Sequence, residues 1–202
     1  MQRAPLLWPS VLTPLTEIAA VKTLSAHVSA LPSSVDAWDA SLRLYMLSKS
    51  PPTGIPKDVA GRWRWLACNE CIYELYHLRA RLGKIQSVLL KACPSLLNSV
   101  NSMALRSSRK RLDDAFPGIP KLRNATAHKG ENEAHPEVHA PDGRLALTGF
   151  REPDRYSAPY EGKLYSIDIT VHSLHTIESV VGEYLDGFRS TAAVLEAQGH
   201  LD

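Results

Sequence analysis

The chain has 202 residues, 44% of them hydrophobic and 22% charged, with a formal net charge of +2. That is the composition of an ordinary soluble globular protein with one sizeable core, expected as a single domain over residues 1–202. Three cysteines, an odd number in a chain this long, argue against a secreted disulfide framework.

Residues 1–12 read as an irregular leader. Pro5, Pro9 and Pro14 interrupt its apolar run, and Glu17 and Lys22 follow soon after. It is read as neither a signal peptide nor a membrane span, so a cytoplasmic protein without membrane contact is expected. Thr13-Pro14 suits an N-cap followed by proline at the first helical position. Ile18, Val21, Leu24, Val28 and Leu31 then recur at helical spacing to about Ala30. Pro32-Ser33-Ser34 ends that helix and caps a second one, marked by Val35, Trp38, Leu42 and Tyr45 and stopped at Ser50-Pro51-Pro52-Thr53-Gly54. Next, Cys68, Cys71, Leu75, Leu78, Leu82, Ile85 and Leu89 alternate spacings of three and four. They predict a long bundle helix from about Lys57 to Ala92. Gly83 costs about 1 kcal/mol there relative to alanine, which invites a bend.

Leu96, Val100, Met103, Leu112 and Phe116 predict another helix, running into a segment broken by Pro117, Gly118 and Pro120 before it and Gly130 after it. Between these breaks lies room for about two helical turns. After Gly130, Glu137 to Leu147 reads as a hairpin around Asp142-Gly143. A long polar connection from Glu152 to Gly162 leads to Leu164–Ile169, which alternates with period two and predicts a third strand. Residues 136–170 are thus expected to form a small β insertion. A final helix is predicted from about His172 to Ala197, with Leu174, Ile177, Val181, Tyr184, Phe188 and Leu195 inward. The expected fold class is mainly α: a bundle of four or five helices with a small hairpin or three-strand insertion before the last helix.

Charge is unevenly spread. From Arg106 to Lys129 there are seven basic residues and two acidic ones, a window net +5 in a chain of net +2. Arg106, Arg109, Lys110, Lys121 and Lys129 are therefore candidates for contacting a polyanion such as RNA. A solvated helix face accounts equally well for the 106–111 cluster alone. At the centre of the broken segment stands Arg123-Asn124-Ala125-Thr126-Ala127-His128. Asn124 and His128 lie one turn apart on one face. Arg123 is about 140° from His128, so one short helix cannot aim both at one small ligand, and a second copy of the segment would complete what one copy cannot.

Arg123, the polar Asn124 after it, three further residues and then His128 resemble the signature of the HEPN superfamily (higher eukaryotes and prokaryotes nucleotide-binding domains). The resemblance implies a helical bundle and a symmetric dimer. For many members it also implies a metal-independent ribonuclease built from both copies of the motif; for this chain, the expected setting is a toxin or phage-defence effector. Carried over residue by residue, Arg123 and His128 are the expected catalytic pair. Asn124 joins them, either fixing the imidazole or binding phosphate. An antitoxin or other protein partner accompanies such a role. The family also includes members without cleavage activity, so a non-catalytic nucleic-acid, nucleotide or protein-binding module on the same scaffold is the alternative. A β insertion is not part of the minimal family bundle.

Other constellations favour plainer readings. Cys68 and Cys71 have zinc-ligand spacing but lie on the apolar seam, so buried free thiols are expected. His128, His135, His139, His172 and His175 cluster in sequence without an acidic ligand pair, and neither metal nor cofactor is expected. Glu70 and Glu74 are one turn apart off the seam and read as a solvated face. Phe150, Tyr156, Tyr160 and Tyr165, with Arg151 and Arg155, are suited to stack on bases. Covering the bundle or a dimer mate is the favoured role for these aromatics.

Overall fold

A strict three-four apolar repeat can bury a single stripe only if the backbone stays helical throughout, and it does. Helix α3 (Lys57–Ala92) has the predicted bounds, and its seven seam residues are all 2% exposed or less. The computed structural model describes residues 3–127 and 148–199. Among them are seven α-helices and one three-stranded antiparallel sheet: α1 (Ile18–Ser29), α2 (Leu31–Lys49), α3, α4 (Ser102–Ala115), α5 (Ile119–Ala127), β1 (Gly149–Glu152), β2 (Arg155–Tyr160), β3 (Lys163–Asp168), α6 (Val171–Asp186) and α7 (Arg189–Ala197). The mainly helical class with a small sheet before the last helical region is therefore present. Among the described residues, no helix is long and apolar enough to cross a membrane.

The described residues fall into two compact units. The first combines residues 1–35, 77–115 and 176–202. Its core includes Leu24, Val28, Leu82, Ile85, Leu105, Leu112, Val181, Tyr184 and Phe188, none more than 2% exposed. Tyr184 lies among them and donates its hydroxyl to the carbonyl of Leu82 at 3.0 Å. Helix α1 starts later than its sequence suggests. Thr13 does not cap it, because its hydroxyl accepts the Ser10 N–H at 2.8 Å. Glu17 stands at the N-cap instead, but turns its carboxylate to Ser95, whose hydroxyl donates at 2.6 Å. Helix α4 also begins late, after a short 3-10 turn at Pro94–Leu96, and Asn101 caps it by accepting the Ala104 N–H at 3.1 Å. Its buried stripe is Leu105, Ser108 and Leu112, whereas Met103 is 80% exposed. The predicted final helix is two helices. Gly187 gives its carbonyl to the Asn101 N–H at 2.9 Å, and its Cα lies so near Leu105 that a β-carbon there would come within 2.8 Å of it.

The second unit combines residues 36–76 and 116–175. The stretch expected as a polar connection, Glu152 to Gly162, contains β2. Tyr156, Ser157, Ala158 and Pro159 on this strand are all buried, so its apolar and small residues outweigh the flanking polar ones. β2 is the central strand, pairing with β1 on one side and β3 on the other. Arg155 faces Asp168 across the β2–β3 ladder and binds it through two nitrogens at 2.7 and 3.0 Å. Tyr45 on α2 ties the β1–β2 turn, donating to the Pro153 carbonyl at 2.6 Å. Tyr156 is fully buried with Trp65 packed edge-on at 5.6 Å. The predicted hairpin at 137–147 lies outside the described residues.

Candidate functional site

Two elements of the second unit fix helix α5. From one side, α5 packs on β2 and β3, and buries Ile119, Leu122 and Ala125. Its entry is set by Gly118, at φ +79°, a left-handed conformation that glycine alone adopts without strain. The ring of Tyr165 on β3 lies so close that a β-carbon on Gly118 would come within 2.6 Å of it. Pro120 fits the first turn, where its missing N–H costs no helical hydrogen bond. The sheet thus buttresses the motif helix.

From α3 come Tyr73 and Tyr76, three residues apart on one helix face. The guanidinium carbon of Arg123 stands 5.6 Å from the centre of the Tyr73 ring and 5.4 Å from that of Tyr76. Those distances are within the range of cation–π attraction. Its one hydrogen bond among the described residues runs from Nη1 to Oδ1 of the adjacent Asn124, and is long at 3.3 Å. The Arg123 Nε is buried and has no hydrogen-bond partner among the described residues. One turn before Tyr73, the Asn69 side-chain oxygen is buried and unpartnered as well. Unmatched polar atoms are uncommon in protein interiors and call for an explanation.

Other partly buried arginines are treated differently. Arg79 pairs with Asp113 at 2.5 Å. Arg81 donates to the Ala30 carbonyl and the Ser34 hydroxyl at 2.9 and 2.7 Å. Arg64 reaches the Ser48 carbonyl, and Arg109 the Gln86 amide oxygen at 2.8 Å. Arg123 has no carboxylate partner among the described residues.

No family model, curated protein or solved structure matches this chain.

Of the residues singled out in sequence, Arg123 and Asn124 are in contact on α5. His128 and Lys129 lie outside the described residues. The remaining cations are mostly committed. Lys110 pairs with Asp114 one turn along α4 at 2.9 Å. Lys121 pairs with Glu161 and lies 5.3 Å from the Tyr160 ring centre. Hydrogen bonding to Glu161 raises the Lys121 ammonium above its ordinary value, which strengthens its hold on that proton. Arg106 is exposed.

Tyr73 and Tyr76 escaped the sequence reading. Their signal was a pair of tyrosines at helical spacing just off the apolar seam, on the same stretch where Glu70 and Glu74 drew attention.

The thiols of Cys68 and Cys71 are fully buried, and burial pushes both well above the usual range. Burial also pushes Cys93 up, to about 11. Such thiols are poor nucleophiles and poor metal ligands. Among the described residues, no group of three or more His, Cys, Asp or Glu side chains is placed to hold a metal.

Proposed function

We propose that this chain is a HEPN-like endoribonuclease that works without metal as a symmetric dimer, in the manner of a toxin or defence effector. The observation that carries the reading is the state of Arg123. A partly buried guanidinium with no counter-charge among the described residues, held against two ring faces, sits within an Arg-polar-x3-His segment. An arginine of this kind suits a phosphodiester, whose oxygens take two donors from one guanidinium.

In this reading one His128 accepts the proton of the ribose 2′-hydroxyl as its oxygen attacks phosphorus. The His128 of the second copy gives a proton to the departing 5′-oxygen. The products are a 2′,3′-cyclic phosphate and a free 5′-hydroxyl. Arg123 stabilises the charge that builds on the phosphorus oxygens between them. With one copy of the imidazole acting as base and the other as acid, the rate is expected to depend on pH in a bell shape.

The test is cleavage of RNA in chelator. His128→Ala should lose about 10²–10⁴-fold in rate, the usual worth of a positioned acid or base. Sedimentation should give a dimer. A strictly monomeric protein, or His128→Ala cleaving as fast as wild type, overturns the reading.

One observation favours the alternative, a non-catalytic binding module. Lys110, Lys121, Arg109 and Arg111 already hold intramolecular partners. Among the described residues, that thins the basic track and leaves Arg123 and the exposed Arg106 without a carboxylate. RNA binding that depends on Arg123 but yields no cyclic-phosphate product supports this second reading.

A further inference from the structure

A cation can be fixed in a protein in two ways. A carboxylate fixes it and cancels its field, and the pair then has little attraction left for a third charged group. An aromatic face fixes it through the ring quadrupole, and the full unit charge survives. Arg123 is held the second way. Tyr73 and Tyr76 come from one helix, so both rings grip the guanidinium from the α3 side. Asn124 steadies Nη1 from the same helix as the arginine.

We infer that Tyr73 and Tyr76 are positioning residues, a two-ring clamp that holds Arg123 ready for an oxyanion without neutralising it. The inference rests on the reading of Arg123 as the phosphate-facing group. The ring faces supply the grip, while the hydroxyls are not needed for it. The clamp also accounts for the buried Nε, which has no acceptor among the described residues and lies in a guanidinium packed against two π systems.

Two measurements on the full-length protein separate the clamp from the function. The first is the arginine side-chain Nε–H signal in a 15N NMR spectrum, assigned by its loss in Arg123→Lys. Ring currents should move it away from the free-arginine position, and burial should slow its exchange with solvent. Tyr73→Phe/Tyr76→Phe should keep both features. Tyr73→Leu/Tyr76→Leu should return the signal to the free position, and the two single leucine variants, each folded by its thermal melt, should return it part of the way.

The second measurement is affinity for a short single-stranded RNA. The doubly leucine-substituted protein should bind about tenfold more weakly, and the phenylalanine variant within about twofold of wild type. A displaced Nε–H signal that survives loss of both rings overturns the clamp. So does an unchanged RNA affinity in the leucine variants when Arg123→Ala binds weakly. If Arg123→Ala binds RNA as wild type does, the phosphate-facing role fails instead, and the NMR signal still decides whether the rings hold the guanidinium.

Discussion

On α4, Arg109 ends on an amide, Lys110 on Asp114 and Arg111 on Glu183, whereas on α5 Arg123 ends on two tyrosine rings. Counted along the sequence, these residues form one basic window. Counted by partner, they are two different things. On α4, Lys110 and Arg111 meet a carboxylate, Arg109 meets a neutral amide, and Arg106 is exposed. Lys121, on α5 itself, meets the carboxylate of Glu161. The count of basic residues therefore overstates the charge left without a carboxylate partner among the described residues, and Arg123 is one of those left. The expected consequence is a steep hierarchy among alanine substitutions. Arg123→Ala should lower RNA cleavage in chelator by at least about 100-fold, while Arg106→Ala and Lys110→Ala should stay within about threefold of wild type. Equal losses across the three would break the comparison.

The next effect concerns what holds α5 in place. Gly118→Ala forces an L-residue into a left-handed conformation and drives a β-carbon into the Tyr165 ring. Backbone strain of that kind alone costs about 1–3 kcal/mol, and denaturant unfolding should show at least this loss. Pairing the change with Tyr165→Ala should recover part of the stability by removing the clash, and the positive φ should keep the rest from returning. Full recovery would mean that the backbone at Gly118 is not strained by a side chain, and that the sheet's grip on α5 is purely a matter of ring packing.

Periodicity made the scaffold legible, and partner choice is where legibility ended. The α3 seam could be read to both ends because each of its residues answers to one constraint, burial, repeated at a fixed angle. The inward face of α6 and α7 was readable for the same reason, but the break between them was not. Gly187 is demanded by Leu105, a residue far away in sequence that no local pattern reveals. Met103 and Leu105 show the limit at finer grain. Either could have led the α4 stripe, and only tertiary packing chose Leu105. β2 was missed because Arg155, Pro159 and Glu161 give its surroundings a loop-like composition. At the site, Arg123 and Asn124 stood out through a short motif. Tyr73 and Tyr76 did not, since an aromatic pair beside an apolar seam looks the same whether it covers a core or grips a cation.

Smaller effects sharpen the comparison from the α4 side. Gly83 lies inside α3 with the Arg109 guanidinium over it, and a β-carbon there would sit 3.8 Å from the nearest nitrogen, an ordinary contact. Gly83→Ala should therefore raise stability by about 0.5–1 kcal/mol through helix propensity, read from the shift of the urea midpoint. RNA cleavage should not change, because the added methyl meets the Arg109 guanidinium only at ordinary contact distance.

Glu183 gives the finest test, because it decides whether neutralisation is what keeps α4 out of the picture. Its carboxylate accepts from Ser107 at 2.5 Å and from Arg111 at 2.6 Å, and these contacts, the Ser107 bond first, hold it below the ordinary value of 4.5. A depressed carboxylate adds stability that is present above the unfolded-chain value and is lost as pH falls through the lower folded value. With the side chain about a third exposed, at 32%, solvent screening limits that contribution to about half a kcal/mol. Glu183→Gln should thus flatten the loss of stability below pH 4.5 slightly, as followed by urea unfolding across the acid range. The same change releases Arg111 from its counter-charge. If pairing is what silences the α4 cations, RNA affinity at low salt should rise by a few-fold, and the rise should vanish as salt is added. A gain that persists at high salt, or no gain at all, would mean that something other than Glu183 separates the two helices.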